Sequence, residues 1–343
     1  MILVAWVLLT TLGLLNCGSG SHSVTSGSGS YPTTFAYLQG SYTGVPGPRI
    51  PNLTVDLGSG PLDLYVMDAS TGISTKVNPQ SAEFGSVQLS ADGSKLLFTA
   101  RDSEACTEIY MADAKFQTLT QLTQYFVGSP CFDHSEAALS SDGTMIAFAY
   151  AGPNASVSTI PAVGGTITPI LYPGVPGSVV DVAIDPVFTP DGKNIVFRGY
   201  PLGSGVSYIY IVNLDGTGLT QLSIGSGNGG SDIFPAVSPD GTQVAFTRYT
   251  LTPTSFSENI AVIGIGGESA ANPAKMLTTD GEGWQPMWLG GKILFRSWKD
   301  NLATCVDGVY QCHDNIYEMN ADGSNVVRLT NTTLETAFDP AAF

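Results

Sequence analysis

Phe98, Phe148, Phe197, Phe246 and Phe295 recur every 49 or 50 residues, and four of the five stand six residues after the Asp of an Asp-Gly pair. The aligned segments read LSADGSKLLF, LSSDGTMIAF, FTPDGKNIVF, VSPDGTQVAF and PMWLGGKILF: an apolar strand, a tight turn and a second apolar strand. One such hairpin cannot bury its own faces, so the copies must pack on one another, and the period demands a repeat architecture.

The rest of each unit supplies two more strands. Leu64–Met67, Ile109–Met111, Ile209–Val212, Ile260–Ile263 and Ile316–Tyr317 alternate apolar and polar positions as half-buried third strands do. A Gly-containing turn follows, as at Asp215-Gly216, and a short fourth strand closes the unit at Gln221-Leu222, Met276–Thr278 or Val327–Leu329. Four strands in about 50 residues make a propeller blade. Five complete units fill 86 to 330. What is left over at the two ends is complementary: Phe338–Phe343 matches only a first strand, while Thr34–Leu38, Leu64–Met67 and Thr75–Val77 match a second, third and fourth. The expected fold is therefore all-β, a six-bladed β-propeller whose N- and C-terminal strands share one blade and so leave no open sheet edge in the ring.

Ile2 to Leu15 is an apolar run too short to span a bilayer comfortably and reads as the core of a secretory signal. Leu14-Leu15-Asn16-Cys17 resembles the lipobox of bacterial lipoproteins, with Cys17 the lipidated residue, although Asn16 replaces the usual small residue and no Lys or Arg precedes the run. The alternative is ordinary signal-peptidase cleavage with Cys17 incidental. The expected organisation is a signal over 1–17, a Gly/Ser-rich tether over 18–34 and one propeller domain over 35–343. Such a chain is exported, to the periplasm or the outer membrane, and touches membrane only through its N-terminal lipid. Four further cysteines in an exported protein favour disulfides: Cys305 with Cys312 inside one loop, and Cys106 with Cys131 in loops that emerge on one face. Cys312-His313 is not a haem attachment, because position 309 is Val309.

Acidic residues outnumber basic ones 29 to 13, a formal charge of −16. This excludes a phosphate-backbone partner, which needs a basic surface, and disfavours anionic headgroups. There are three His, one of them His22 in the tether, so a multi-His metal site within one chain is excluded.

Loop lengths distinguish the two faces. Turns after first strands are tight, whereas 40 to 61, 101 to 107, 199 to 207, 249 to 258 and 298 to 314 after second strands, and 124 to 134, 172 to 182 and 224 to 232 between blades, are long. In a meander both long types emerge on one face, the expected recognition surface. Just inside it, at equivalent points of the first strands, stand Ser86, Glu136, Asp185, Phe234, Gln285 and Asp339, with His134 nearby. Glu136, Asp185 and Asp339 would converge on the channel mouth as a candidate calcium site, or as a site for a basic or amide-bearing group. They read equally as solvated rim charges or as caps for loop N–H groups. Tyr125, Phe126, Phe132, Tyr200, Tyr249, Trp284, Trp298 and Tyr310 are candidate anchors on the same loops, whereas Trp288 aligns with Val237 and Phe188 and reads as core.

The repeats LSADGSKLLFTA, FTPDGKNIVFRG and VSPDGTQVAFTR, with IYIVNLDGTGLTQLS and IYEMNADGSNVVRLT between them, resemble the TolB-like six-bladed β-propeller family over about residues 35 to 343. The family's namesake is periplasmic and contacts a peptidoglycan-associated lipoprotein. The resemblance implies a non-catalytic envelope binding module with a protein or peptide partner and no required cofactor. The N-terminal α/β domain that precedes such propellers is not expected here, nor a catalytic domain after Phe343. The competing class is a calcium-dependent propeller hydrolase or lyase acting on a carbohydrate or small ligand at the channel mouth. No nucleophile with a partnered base stands out in the sequence.

Overall fold

A computed structural model describes residues 34–40, 63–78, 84–101, 106–124, 133–151, 156–171, 179–227, 229–251, 256–281, 283–300, 314–331 and 336–341. These form six four-stranded antiparallel sheets. Strands β1 (Thr34–Gly40), β2 (Asp63–Asp68) and β3 (Ile73–Lys76) are three members of one blade. Blade 1 is β4 (Phe84–Leu89), β5 (Lys95–Arg101), β6 (Thr107–Asp113) and β7 (Leu119–Gln121). Blade 2 is β8 (Asp133–Leu139), β9 (Met145–Ala151), β10 (Ser156–Pro161) and β11 (Thr168–Pro169). Blade 3 is β12 (Val180–Phe188), β13 (Asn194–Pro201), β14 (Tyr208–Asn213) and β15 (Thr220–Gln221). Blade 4 is β16 (Asp232–Val237), β17 (Gln243–Leu251), β18 (Phe256–Gly264) and β19 (Lys275–Met276). Blade 5 is β20 (Gly283–Leu289), β21 (Lys292–Ser297), β22 (Asn315–Asn320) and β23 (Val327–Arg328).

The last strand, β24 (Thr336–Ala341), pairs antiparallel with β1 and completes the first-mentioned sheet as blade 6, in the order β24-β1-β2-β3. First strands touch in a closed cycle, β4 to β8, β12, β16, β20, β24 and back to β4. The ring and its shared blade are thus as the repeat arithmetic expects.

The Asp-Gly pairs that follow the first strands of blades 1 to 4 build their hairpins by one device. In blade 1 the Asp92 carboxylate accepts the Ser90 hydroxyl (2.7 Å) and the Ser94 amide (3.0 Å), while Gly93 takes a φ of 69°. Ser140/Asp142/Thr144 and Ser238/Asp240/Thr242 repeat the arrangement, with Gly143 and Gly241 at φ 69° and 70°. The Ser90 and Ser94 bonds hold Asp92 down at about 2, so the turn keeps its acceptor charged. At the outer rim the short fourth strands are pinned by a polar residue that accepts a third-strand amide. Thr123 takes Ile109 N–H, Ser223 takes Ile209 N–H, Thr278 takes Ile260 N–H, and Thr330 takes Ile316 N–H, each at 2.9 Å.

The recurring phenylalanines fill the space between blades. Phe148, Phe197 and Phe246 are fully buried, and Phe98, Phe197 and Phe295 stack on the cross-strand tyrosines Tyr110, Tyr210 and Tyr317 at 5.6, 5.6 and 5.7 Å. Trp288 is core as expected, its indole N–H donating to Ala236 O of the preceding blade at 3.2 Å.

Candidate functional site

Antiparallel order places the connections after second strands and those between blades on one face. Two are shorter than the sequence suggested. The expected loop over 249 to 258 is mostly ladder, since β17 and β18 stay paired out to Leu251↔Phe256, leaving a connection over 252–255. β13 likewise continues to Pro201, which pairs with Val180. The β17–β18 hairpin continues because Tyr249, Thr250 and Leu251 stay in register with Glu258, Ser257 and Phe256, whereas the end of β13 pairs with β12 across a register shift. Cys17, Cys131, Cys305, Cys312, Tyr125, Phe126, Phe132 and Tyr310 lie outside the described residues. Cys106 is buried and disulfide-bonded, with its partner also outside them.

The channel-mouth positions share a backbone feature that the sequence did not announce. Glu136, Asp185, Phe234 and Gln285 take left-handed φ values of 56°, 52°, 53° and 51°. Each lies in a β-bulge where the first strand slips register against the second. Left-handed non-glycine residues cost roughly 1 kcal/mol or more each, so four at equivalent places are held by their surroundings. In blade 1 the bulge falls at Gly85, where a Cβ would lie 2.7 Å from Thr99 Oγ1. β24 slips register against β1 at the same level, which puts Asp339 in an equivalent bulge; its side chain is outside the described set.

The bulges turn amides toward neighbouring blades, and side chains receive them. Asp185 N–H donates to Glu136 Oε2 at 2.6 Å, and Gln285 N–H donates to Thr247 Oγ1 at 2.8 Å. A third link one level below joins Leu139 N–H to Gln88 Oε1 at 2.7 Å. Glu136 is thus an acceptor that ties blade 2 to blade 3. Asp185 is buried with Arg198 Nη1 at 3.8 Å, Gln285 Oε1 accepts from Arg296 Nη1 at 3.0 Å, and Phe234 packs edge-on against Trp284. His134 is buried between Phe148 and Tyr150, with Nδ1 3.1 Å from Glu108 Oε2. Glu108 stands where Asn259 and Asn315 stand in blades 4 and 5, each accepting a fourth-strand Thr hydroxyl. Among the described residues no group of three or more His, Cys, Asp or Glu is placed to hold a metal ion. The calcium trio is not among the sets this covers, because it needs Asp339.

Three second-strand arginines, which sequence reasoning passed over, carry the buried charge. Arg198 Nε donates to Ser207 Oγ at 2.9 Å, and Nη2 to the Tyr200 hydroxyl. Arg248 forks onto Asp232 at 2.8 and 2.9 Å and onto Glu268 at 3.1 and 2.8 Å. Burial works against the Arg248 charge, but the bonds to the two carboxylates outweigh it and raise its affinity for the proton. Arg296 bonds Asp314 and lies over the Trp284 ring, 3.9 Å from its centroid. The signal was present in the strings FRG, FTRY and FRS: a basic residue inside an otherwise apolar strand, in a chain with only 13.

Glu258, at the long-loop end of β18, is buried in blade 4 and feels the charges of Asp314 and Arg296 in blade 5. Burial, reinforced by the Asp314 carboxylate and only partly offset by Arg296, pushes its carboxyl up to about 7. Trp284 and Trp298 meet edge-to-face at 6.5 Å in blade 5. A buried acid poised near neutrality is a candidate functional group.

The geometry defines a six-bladed β-propeller with one loop-bearing face. No family model matches the chain. The Tol-Pal system protein TolB of Francisella tularensis is 25% identical over 216 residues, which span 62% of this chain and 46% of that protein. The chain therefore spans about half the length of the curated relative it matches. Among solved structures, TolB from Acinetobacter baumannii superposes with a TM-score of 0.64 at 17% identity, covering 91% of this chain and 67% of that one. A putative TolB from Agrobacterium tumefaciens gives 0.60 at 18%, covering 90% and 98%. A manganese complex of oligogalacturonate lyase gives 0.52 at 15%, covering 78% and 70%. The chain has a six-bladed β-propeller fold similar to that of the TolB structures.

Proposed function

We propose that this protein is a non-catalytic protein-interaction module of the bacterial cell envelope, using its long-loop face to hold a protein or peptide partner of the Tol-Pal kind. One observation carries the reading. Val179, Leu202, Ile224 and Leu251, 57%, 67%, 55% and 45% exposed, all come from long-face connections of blades 3 and 4, and Leu202 N–H donates to Val179 O. Apolar side chains gathered on one sector of a loop-bearing face are what a docking surface offers. Ile73, Leu119, Met276 and Val327 are spread around the rim on fourth strands, and Val163 and Ile167 lie in the turn between β10 and β11. The likeness to TolB supports an exported protein with partners in the envelope. Anchoring through a lipid on Cys17 and pairing of Cys106 with Cys131 are part of the same reading. Crosslinking the native protein in its own envelope, followed by mass spectrometry, tests it. Recovery of a peptidoglycan-associated or other envelope protein is expected, and recovery of the chain alone would contradict it.

The competing reading, a calcium-dependent enzyme, needs carboxylates free to bind. Glu136 is engaged by the Asp185 amide and Asp185 is buried with Arg198, which favours the binding module.

A further inference from the structure

We infer that Ile224 is an anchor for an apolar side chain of the partner polypeptide, and that Glu268, reaching across from blade 4, is the positioning residue that presents it. The assignment rests on the reading of the long-loop face as the docking surface and names one contact which that face makes.

The length of one connection brings the two residues together. Between its third and fourth strands blade 4 runs over 265–274, where blades 3 and 5 make the same connection with 214–219 and 321–326. The added residues cross back onto blade 3. Gly267 permits the close approach: its φ is 91°, and a Cβ there would lie 3.3 Å from Leu222 O. Glu268 N–H then donates to Leu222 O at 2.6 Å.

The Glu268 carboxylate is fully engaged. Oε2 accepts Ile224 N–H at 3.0 Å and Arg248 Nη2 at 2.8 Å, while Oε1 accepts Ala274 N–H at 3.0 Å and Arg248 Nη1 at 3.1 Å. Arg248 is itself forked onto the buried Asp232 of β16. Burial works against the Glu268 charge, but the Arg248 and amide bonds outweigh it and hold the carboxyl below its ordinary value, so the acceptor stays charged at neutral pH.

Ile224 is therefore held by its backbone while its side chain is left 55% exposed. Before it, Leu222 and Ser223 are buried, and Ser223 Oγ accepts Ile209 N–H. After it, Gly225 turns the chain at φ 75°, where a Cβ would lie 2.8 Å from Tyr208 Cε1. An exposed apolar side chain on a fixed backbone has little freedom left to lose when a partner covers it, which suits it to be an anchor. The Glu268 side chain is only 4% exposed, so it acts through Ile224 rather than by touching the partner.

The test is the yield of the envelope-protein adduct from a photoreactive residue at Leu202, whose backbone bond to Val179 does not involve Glu268. Glu268→Gln sets a donor against one of the two N–H groups and removes the charge that Arg248 meets. The adduct should fall roughly fivefold or more in Ile224→Ser and in Glu268→Gln, and Glu268→Gln should add nothing in the Ile224→Ser background. Thr278→Val controls for stability: it strips the acceptor from Ile260 N–H in the same blade without touching Ile224, and should leave the adduct at its wild-type level. Each variant is compared below its own melting temperature. An undiminished adduct in Glu268→Gln, additive losses in the double variant, or an equal loss in Thr278→Val would each refute the positioning role and leave the docking face standing. An undiminished adduct in Ile224→Ser would refute the anchor. No adduct from Leu202 in the otherwise wild-type chain would refute the docking face itself.

Discussion

Replacing Glu258 by Gln should change how stability depends on pH, and the structure fixes the direction. The carboxyl is raised from 4.5 to about 7 in the folded protein, first by burial and then by Asp314. A raised folded value means that the folded chain holds this proton more tightly than the unfolded chain. Its stabilising contribution is fully present below 4.5, declines as pH rises, and is gone above about 7. The gap corresponds to roughly 3 kcal/mol. At 8% exposure solvent screening calls for little discount, so that figure is a ceiling set by how far the site relaxes. The turn aspartates do not interfere: their values are lowered, to about 2 for Asp92, so their contribution is lost at more acidic pH. Subtracting the two proteins' profiles isolates Glu258, since the other groups are common to both. Urea unfolding of wild type and Glu258→Gln from pH 5 to 8.5 should show the variant gaining roughly 3 kcal/mol relative to wild type, or about 5 °C in melting temperature. Parallel profiles over that range would refute a buried acid at this position.

Three further expectations follow from the packing. Deleting 336 to 343 removes the strand that closes the ring, a closure that itself costs roughly 5 kcal/mol of chain entropy; the melting temperature should fall by about 10 °C or more, and an unchanged melt would refute closure by β24. Arg248→Met leaves Asp232 and Glu268 without their shared cation and should destabilise by about 3–5 kcal/mol in urea, whereas Lys193→Met, at an exposed turn, should do almost nothing. Calcium should leave the wild-type melt unchanged, because Glu136 and Asp185 are already engaged; a calcium-dependent rise that Glu136→Gln, Asp185→Asn, Asp339→Asn together abolish would instead establish a carboxylate cation site.

The architecture was legible because its determinants are local. Asp92, Asp142 and Asp240 do within their own turns what their Asp-Gly context implies, and the first-strand remnant after Thr336 announces a blade completed elsewhere. The third strand of blade 2, Ser156–Pro161, was not identified, because both its faces are buried and SVSTIP shows no alternation for the eye to follow. The site was legible only in part. The ring of Glu136, Asp185, Phe234 and Gln285 follows from repeat alignment, but its left-handed bulges and the Glu136–Asp185 link do not. That bond joins residues 49 apart whose proximity exists only once two blades are packed. The same holds for Glu258, raised first by burial and then by Asp314 of the next blade, with Arg296 of that blade working the other way. Nothing in either repeat alone marks it.

Photo-crosslinking from defined positions in the living envelope tests the central claim, recognition through the long-loop face. A photoreactive residue at Leu202 would be compared with one at Ser94, in a tight turn on the opposite face. The account predicts a discrete envelope-protein adduct from Leu202 and none from Ser94. An adduct from Ser94 alone, or from neither position, would contradict it.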